Sequence, residues 1–206
     1  MQPLRQPARA RILDAAAHLM RTIGLARATT KEIAKAAGCS EAALYKYFPS
    51  KEDLFVHVLD ERLPGLVPLL TEMIKDPGDR DLEENLTAIA RSATLFYESS
   101  VPIGASLFAE PALLRRHREG LRKLGTGPYR PLEDLAAYLR AEQQTGRVRA
   151  EADPDAAAAL LLGACSQRAL ISPFLTEEAV RPLDDLDEFA AAIARTVVRG
   201  IAADPA

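Results

Sequence analysis

The sequence predicts an all-α fold, and three observations carry that reading. Apolar residues recur at three- and four-residue spacing along most of the 206 positions, the period of a helix with one buried face. Alanine is abundant and runs of β-branched residues are scarce, which favours helices over strands. Ser, Thr and Asp precede the periodic stretches and Gly follows several of them, where helix caps need them. With 48% hydrophobic and 27% charged residues, the composition is that of a globular protein with ample length to bury a core.

Arg5, Arg9 and Arg11 precede or open a first helix whose inner face is Ile12, Leu13, Ala16, Leu19, Met20 and Ile23; Gly24 ends it. A basic arm of this kind can lie along phosphates or enter a minor groove, with a frayed terminus as the alternative. Thr29 with Glu32 three residues on forms a capping box that starts a second helix at Thr30. Ile33, Ala34 and Ala37 line its inner side, and Gly38 stands where a left-handed C-terminal cap needs glycine. Ser40 caps a third helix in which Leu44 and Phe48 stack one turn apart. Two short helices, a turn of about four residues and a small apolar seam make a helix-turn-helix. The first helix closes this three-helix head against Ile33, Leu44 and Phe48.

Ser50 and Asp53 restart a fourth helix, with Leu54, Phe55, Val58 and Leu59 as its apolar face. Pro64, Gly65 and Pro68 predict a kink or break, since a mid-helix proline costs roughly 3 kcal/mol. Residues 76 to 81 read as a loop. A helix is expected from Leu82 to about Ser99 on the stripe Leu86, Ile89, Ala90, Ala93, Phe96 and Tyr97, and Pro102 interrupts the chain beyond it. Pro111 suits the first turn of the next helix. After a turn at 125 to 128, a helix from about Tyr129 to Thr145 buries Leu132, Leu135, Ala136 and Leu139, and Gly146 stops it. Asp153 and Pro154 start an alanine-rich helix that is apolar around most of its circumference and must be covered on several sides. The last helix, Leu186 to Ile201, carries Phe189, Ile193, Val197 and Gly200 on one stripe.

The net charge of −3 conceals an asymmetry. Residues 1–51 hold nine Lys or Arg against three Asp or Glu, a net +6, and the remaining chain is −9. A basic head on an acidic body steers only the head toward a polyanion. The N-terminal residues have no apolar signal core and no stretch has eighteen uninterrupted apolar residues, so a cytoplasmic protein without a membrane span is expected. Cys39 and Cys165 fit a reducing compartment as small hydrophobes. His18, His57 and His117 show no metal spacing with them, and neither a P-loop nor a GxSxG elbow occurs. Asp184, Asp185, Asp187 and Glu188 read as a solvated helix cap. No metal, cofactor or catalytic centre is expected.

The outward side of the third helix reads as a nucleic-acid surface. With Leu44 and Phe48 inward, Ala42, Ala43, Tyr45 and Lys46 turn outward. Small residues let a helix settle deep in a major groove, and alanine methyls can touch thymine methyls. Tyr45, Tyr47 and Lys51 offer donors to phosphate oxygens, and the backbone N–H groups at the start of the fourth helix add to a phosphate clamp. A solvated helical hairpin is the alternative.

The stretch TTKEIAKAAGCSEAALYKYFPSKEDLF resembles the DNA-binding segment of TetR-family transcriptional regulators. In that family a helix-turn-helix runs into Leu-Tyr-x-[His/Tyr]-Phe and then Ser-Lys-Glu-x-Leu. Here these are Leu44, Tyr45, Tyr47 and Phe48, then Ser50, Lys51, Glu52 and Leu54. The resemblance covers roughly residues 9 to 60. Ala42 stands where the family very often has glycine and Cys39 where it usually has valine, which puts in question how closely the helix approaches bases.

The resemblance implies a homeodomain-like helix-turn-helix head at residues 1–51 and a helical ligand-binding and dimerisation bundle at 52–206. It implies a homodimeric regulator, most often a repressor, that leaves a palindromic operator in double-stranded DNA when a small-molecule effector binds. Thr30, Tyr45, Tyr47 and Lys51 are then expected on phosphates. Lys31, Glu41, Ala42, Ala43 and Lys46 are expected at base edges, with Ser40 beside them at the start of the reading helix. Ser92, Phe96, Phe108, Tyr129 and Gln167 are candidates for the effector pocket. Leu160, Leu161 and Ala164 with Phe189, Ile193 and Val197 are candidates for the dimer interface. The competing readings are a regulator controlled by a protein partner without a small ligand, and an enzyme that borrows the fold.

Overall fold

The structure, a computed structural model, describes residues 7–63, 65–75, 80–175 and 183–202. Among them are ten α-helices and one 3₁₀ turn, with a lone antiparallel bridge between Val148 and Ala202 in place of any sheet. The first five are α1 Ala8–Arg27, α2 Thr30–Ala36, α3 Glu41–Tyr47, α4 Lys51–Arg62 and α5 Leu66–Lys75. Then come α6 Leu82–Ala105, α7 Pro111–Lys123, α8 Arg130–Gln144, α9 Pro154–Ile171 and α10 Leu186–Ile201, with the 3₁₀ turn at Ser172–Phe174.

Packing divides the chain into two compact units that do not follow chain order. One gathers Met1–Leu63 with Ser99–Gly127, and the other Pro64–Glu98 with Pro128–Ala206. The boundary expected at 51/52 is therefore not a packing boundary: α4 and α7 belong to the unit that carries the helix-turn-helix. The cause is apolar, because Leu54 and Val58 of α4 are fully buried in the same unit as Ile12, Leu13, Met20, Leu44 and Phe48.

In this first unit α1 is broken at Gly24, whose φ of 79° and ψ of 158° few other residues adopt. Ile23, expected inward, is 37% exposed, while Leu25 beyond the break is buried. The space above Gly24 is filled by Ser106, so that a Cβ at position 24 would lie 2.8 Å from Ser106 Oγ. That same oxygen accepts a hydrogen bond from the Ala26 N–H at 3.0 Å.

The second unit is built around α8, which packs against α5 and α9 and buries Leu135, Ala136, Tyr138 and Leu139. Leu66 and Leu70 of α5, Leu86, Ile89, Ala90 and Ala93 of α6, and Ala157, Ala158, Leu161, Leu162 and Cys165 of α9 complete its core. A buried and a half-buried polar contact sit within it. Asn85 Nδ2 donates to Tyr138 Oη at 3.0 Å, and Arg147 Nη2 donates to Glu142 Oε1 at 2.8 Å.

Two expectations are corrected here. Pro102 does not interrupt its helix: α6 runs on to Ala105 with the proline inside it. Buried Ile103 and Leu107 anchor this end, and tertiary packing of that kind offsets the lost backbone hydrogen bond. The alanine-rich helix α9 is not covered on several sides within one protomer, since Leu160, Leu170 and Ile171 remain 68%, 57% and 40% exposed. The break near Pro64 is present, and the apolar run after it forms α5.

Candidate nucleic-acid interface

The helix-turn-helix is fixed by local hydrogen bonds that the sequence encodes. The Glu32 N–H donates to Thr29 Oγ1 at 3.2 Å while the Thr29 N–H donates to Glu32 Oε2 at 3.0 Å, a complete capping box. At the other end of α2, the Cys39 N–H reaches Ala34 O and the Gly38 N–H reaches Lys35 O, with Gly38 at φ 66°. This pair of bonds is a Schellman cap, and it sets the sharp turn into α3. Ser40 Oγ then accepts from the Ala43 N–H at 3.1 Å to start α3. Three caps within twelve residues hold the two helices with little freedom between them.

The outward face of α3 is as expected from its periodicity. Leu44 and Phe48 are fully buried, whereas Ala42 and Lys46 are exposed and Tyr45 and Tyr47 are nearly half exposed. Lys31 on α2 is exposed, and Glu41 and Ala43 lie at the edge. Thr30, Glu41 and Tyr45 form one network: Thr30 Oγ1 donates to Glu41 Oε1 at 2.5 Å and lies 3.2 Å from Tyr45 Oη. A threonine hydroxyl has a single proton. In this arrangement that proton is directed to Glu41, so the network orients Tyr45 and joins α2 to α3.

Lys51 is held differently from the sequence expectation. Its Nζ donates to Leu25 O at 2.5 Å and approaches Ala26 O at 3.5 Å, so the ammonium caps the end of α1. Burial lowers its pKa from the ordinary lysine value, and nearby Arg116 lowers it further. Arg9 is likewise engaged within the unit. Its guanidinium makes two bonds to the Glu61 carboxylate, at 2.5 and 2.8 Å, and lies 5.3 Å above the Phe48 ring. The Arg9 hydrogen bond brings the Glu61 carboxyl down to about 2, with a smaller contribution from His57. Arg11 Nε donates to Ala37 O at 3.2 Å. Of the expected N-terminal arm, Arg9 and Arg11 thus fasten α1 to α4 and α2, and Arg5 lies outside the described residues.

The remaining candidates are scattered. Ser92 is partly buried and Phe96 buried on the part of α6 in the second unit. Phe108 is 79% exposed in the first unit, in the turn after α6. Tyr129 is 48% exposed at the start of α8 and Gln167 is exposed on α9. Of the dimer candidates, Leu160 is open to solvent and Ala164, Phe189 and Ile193 are partly so. Leu161 and Val197 are 1% and 8% exposed and serve the protomer's own core. Among the described residues, no group of three or more His, Cys, Asp or Glu is assembled that could hold a metal ion.

The profile of the bacterial regulatory proteins of the tetR family matches residues 12–58, from the first buried turn of α1 to the middle of α4. Residues 12–58 are thus similar to the DNA-binding segment of the tetR family. The chain's relatives include an HTH-type transcriptional regulator of Mycobacterium tuberculosis, 36% identical over 106 residues that cover 47% of this chain and 52% of the relative. The nucleoid occlusion factor SlmA of Marinomonas sp. is 37% identical over 83 residues, covering 40% of this chain and 38% of that protein. The chain thus spans about half or less of the length of these curated relatives. A solved structure extends the likeness in fold to the rest of the TetR-like chain. SmeT, the repressor of the Stenotrophomonas maltophilia multidrug efflux pump SmeDEF, superposes with a TM-score of 0.62 at 23% identity, over 97% of this chain and 92% of that one. SmeT is also known as a complex with triclosan.

Proposed function

We propose that this protein is a homodimeric transcriptional repressor that reads a palindromic operator with α3 of each protomer and is released by a small-molecule effector. The observation that carries the reading is the outer face of α3. Exposed Ala42 and Lys46, flanked by Tyr45 and Tyr47, stand on a helix whose start and preceding turn are fixed by three caps. A small-residue face with cationic and phenolic donors at its edges suits a major groove between two phosphate backbones.

In this reading Lys31, Glu41, Ala42, Ala43 and Lys46 meet base edges, with Lys31 and Lys46 as the donors. Tyr47 donates to a phosphate, and Tyr45 does so by turning its one hydroxyl proton from Thr30 Oγ1 to the phosphate; Thr30 acts chiefly by holding Tyr45 in place before DNA binds, and Ser40 by starting the helix. Lys51 uses two of its three N–H donors on α1 and retains one for a phosphate. Residues 1–51 supply the reading head, and 52–206 the effector site and the dimer interface. The uncovered face of α9 supports dimerisation, and a dimer supplies the second half-site contact that a short recognition helix needs. The acidic, alanine-rich second unit and the triclosan complex of SmeT support an apolar or mixed effector, for which Ser92 and Phe96 on α6 are the candidates we retain. The protein acts in the cytoplasm, where its DNA target lies.

The relation to a nucleoid occlusion factor favours one second reading, a DNA-bound protein governed by a protein partner instead of a small ligand. Selection of DNA sequences by the purified protein, with binding followed against salt, tests the first step of both. A palindrome with half-sites about one helical turn apart and a steep salt dependence is expected. Recovery of no preferred sequence, with flat salt dependence, would remove the DNA-reading role. Release of the selected duplex by apolar compounds then separates the small-molecule reading from the partner-controlled one.

A further inference from the structure

We infer that Arg27, the last residue of α1, is the uncommitted cation that grips a DNA backbone phosphate in the corner where α1 ends between Lys51 and Tyr45. The inference rests on the DNA-reading role proposed above and adds to it a residue outside the helix-turn-helix itself.

The place of Arg27 follows from contacts on either side of it in the chain. The Ala26 carbonyl, 3.5 Å from Lys51 Nζ, shares its peptide plane with the Arg27 N–H. The lysine ammonium therefore lies within about 6 Å of the Arg27 backbone. Leu25 O, one peptide earlier, holds the same ammonium at 2.5 Å. Three residues beyond Arg27, Thr30 Oγ1 lies 3.2 Å from Tyr45 Oη on α3. Three residues of chain span at most about 11 Å. The link between α1 and α2 has little room to swing. Ala28 is fully buried and its N–H donates to Gly24 O at 3.1 Å, while Thr29 is fixed by the capping box with Glu32. The Arg27 side chain is exposed, so it stands on the surface between two groups assigned to phosphates.

The other donors of this corner are partly engaged. Lys51 directs two N–H groups to α1, and the Tyr45 hydroxyl shares a contact with Thr30, whose own proton goes to Glu41. Arg27 makes no hydrogen bond or ion pair among the described residues. Its guanidinium presents five N–H donors in a planar fork that matches a phosphate with two parallel bonds. Glu32 and Glu110 lie near enough to act on the Lys51 charge, and Arg116 acts on it with the opposite sign. The corner thus holds acids as well as cations, and a free arginine at its edge shifts that balance toward attraction of an anion.

A cation in a last turn also complements the helix dipole, a role that would change stability alone. A phosphate contact is independent of sequence and lowers the salt slope by about 0.9 when lost. The test compares full-length wild type, R27Q, R27K and R21Q on the duplex selected by the wild-type protein and on one of equal length without the site. R27Q is expected to lower the salt slope by about 0.9 per protomer on both duplexes and to leave the base preferences unchanged. R27K should keep the slope and recover only part of the affinity, because an ammonium retains the charge and loses the fork. Arg21 is exposed on α1 before the Gly24 break, about 9 Å back along the helix, and R21Q should bind as wild type. An unchanged slope for R27Q overturns the inference, and so does an R27K slope as low as that of R27Q. An equal fall for R21Q also overturns it, since that would mean a diffuse field instead of a contact. Wild-type binding is the separate control: its absence removes the DNA-reading role, whereas its presence with an unaffected R27Q removes only the Arg27 contact.

Discussion

At position 51 two demands meet on one side chain. A lysine in the first turn of a helix that comes after a reading helix is well placed for a phosphate, and the sequence suggests nothing else for it. The packed chain gives its ammonium to Leu25 O and Ala26 O, carbonyls at the end of α1 that have no helical partner of their own. Capping of this kind by a charged donor contributes on the order of 1–3 kcal/mol. Replacing Lys51 by Met, which keeps the apolar stem, is expected to lower stability by about 1–2 kcal/mol. Urea unfolding reads this as a lower midpoint at unchanged slope. A midpoint equal to that of wild type would remove Lys51 from the scaffold, and its whole effect would then have to appear in DNA binding. The contrast with Thr29 and Ser40 explains what a sequence discloses at this scale. Their partners are three residues away, so spacing alone reveals them. The partners of Lys51 and Arg9 are 25 to 52 residues away and exist only once α1 and α4 have packed.

Most elements were legible from periodicity and caps, and the exceptions share a cause. Pro102 carries a strong local signal against helix, yet the buried residues beyond it keep α6 continuous. The packing of α7 on α4 was hidden for a related reason, since the contact of His117 with Phe55 is a tertiary fact. That contact has a consequence for pH. His117 is 6% exposed against Phe55, and burial lowers its pKa below the ordinary 6.5, with Lys51 acting in the same sense and Glu52 opposing. The unfolded chain therefore binds a proton near 6.5 that the folded chain still refuses. Stability from this group is intact above 6.5 and is lost as pH falls from there toward the depressed folded value. Urea midpoints at pH 7.5 and 5.5 are expected to differ more for wild type than for His117→Gln. An equal difference in both proteins would mean that the imidazole is not what resists protonation at the α4–α7 contact.

For the molecule as a whole, the informative feature is what one protomer leaves uncovered. Leu160, Leu170, Ile171 and Phe174 fall on one side of α9 and its 3₁₀ extension, and they are between 40% and 82% exposed. Gly163 lies on the same side with nothing within 4 Å of a Cβ built there. A run of large exposed apolar groups interleaved with small ones is a surface made for close helix packing, and soluble monomers seldom leave such a patch open. A two-fold axis would set this face against its own copy. It would also place two seven-residue reading helices on one duplex, which a single helix of that length needs for specificity. Leu160→Glu combined with Leu170→Glu introduces charge on the open face while leaving the inner face, including Leu161 and Val197, untouched. Sedimentation is expected to show wild type at twice the mass of the chain and the double variant at the mass of one chain, with the same helical circular dichroism. The monomeric variant should bind a full palindrome no more tightly than a single half-site. If it instead sediments with wild type and still distinguishes the palindrome, the dimer must form elsewhere, and the exposed face of α9 would need another occupant.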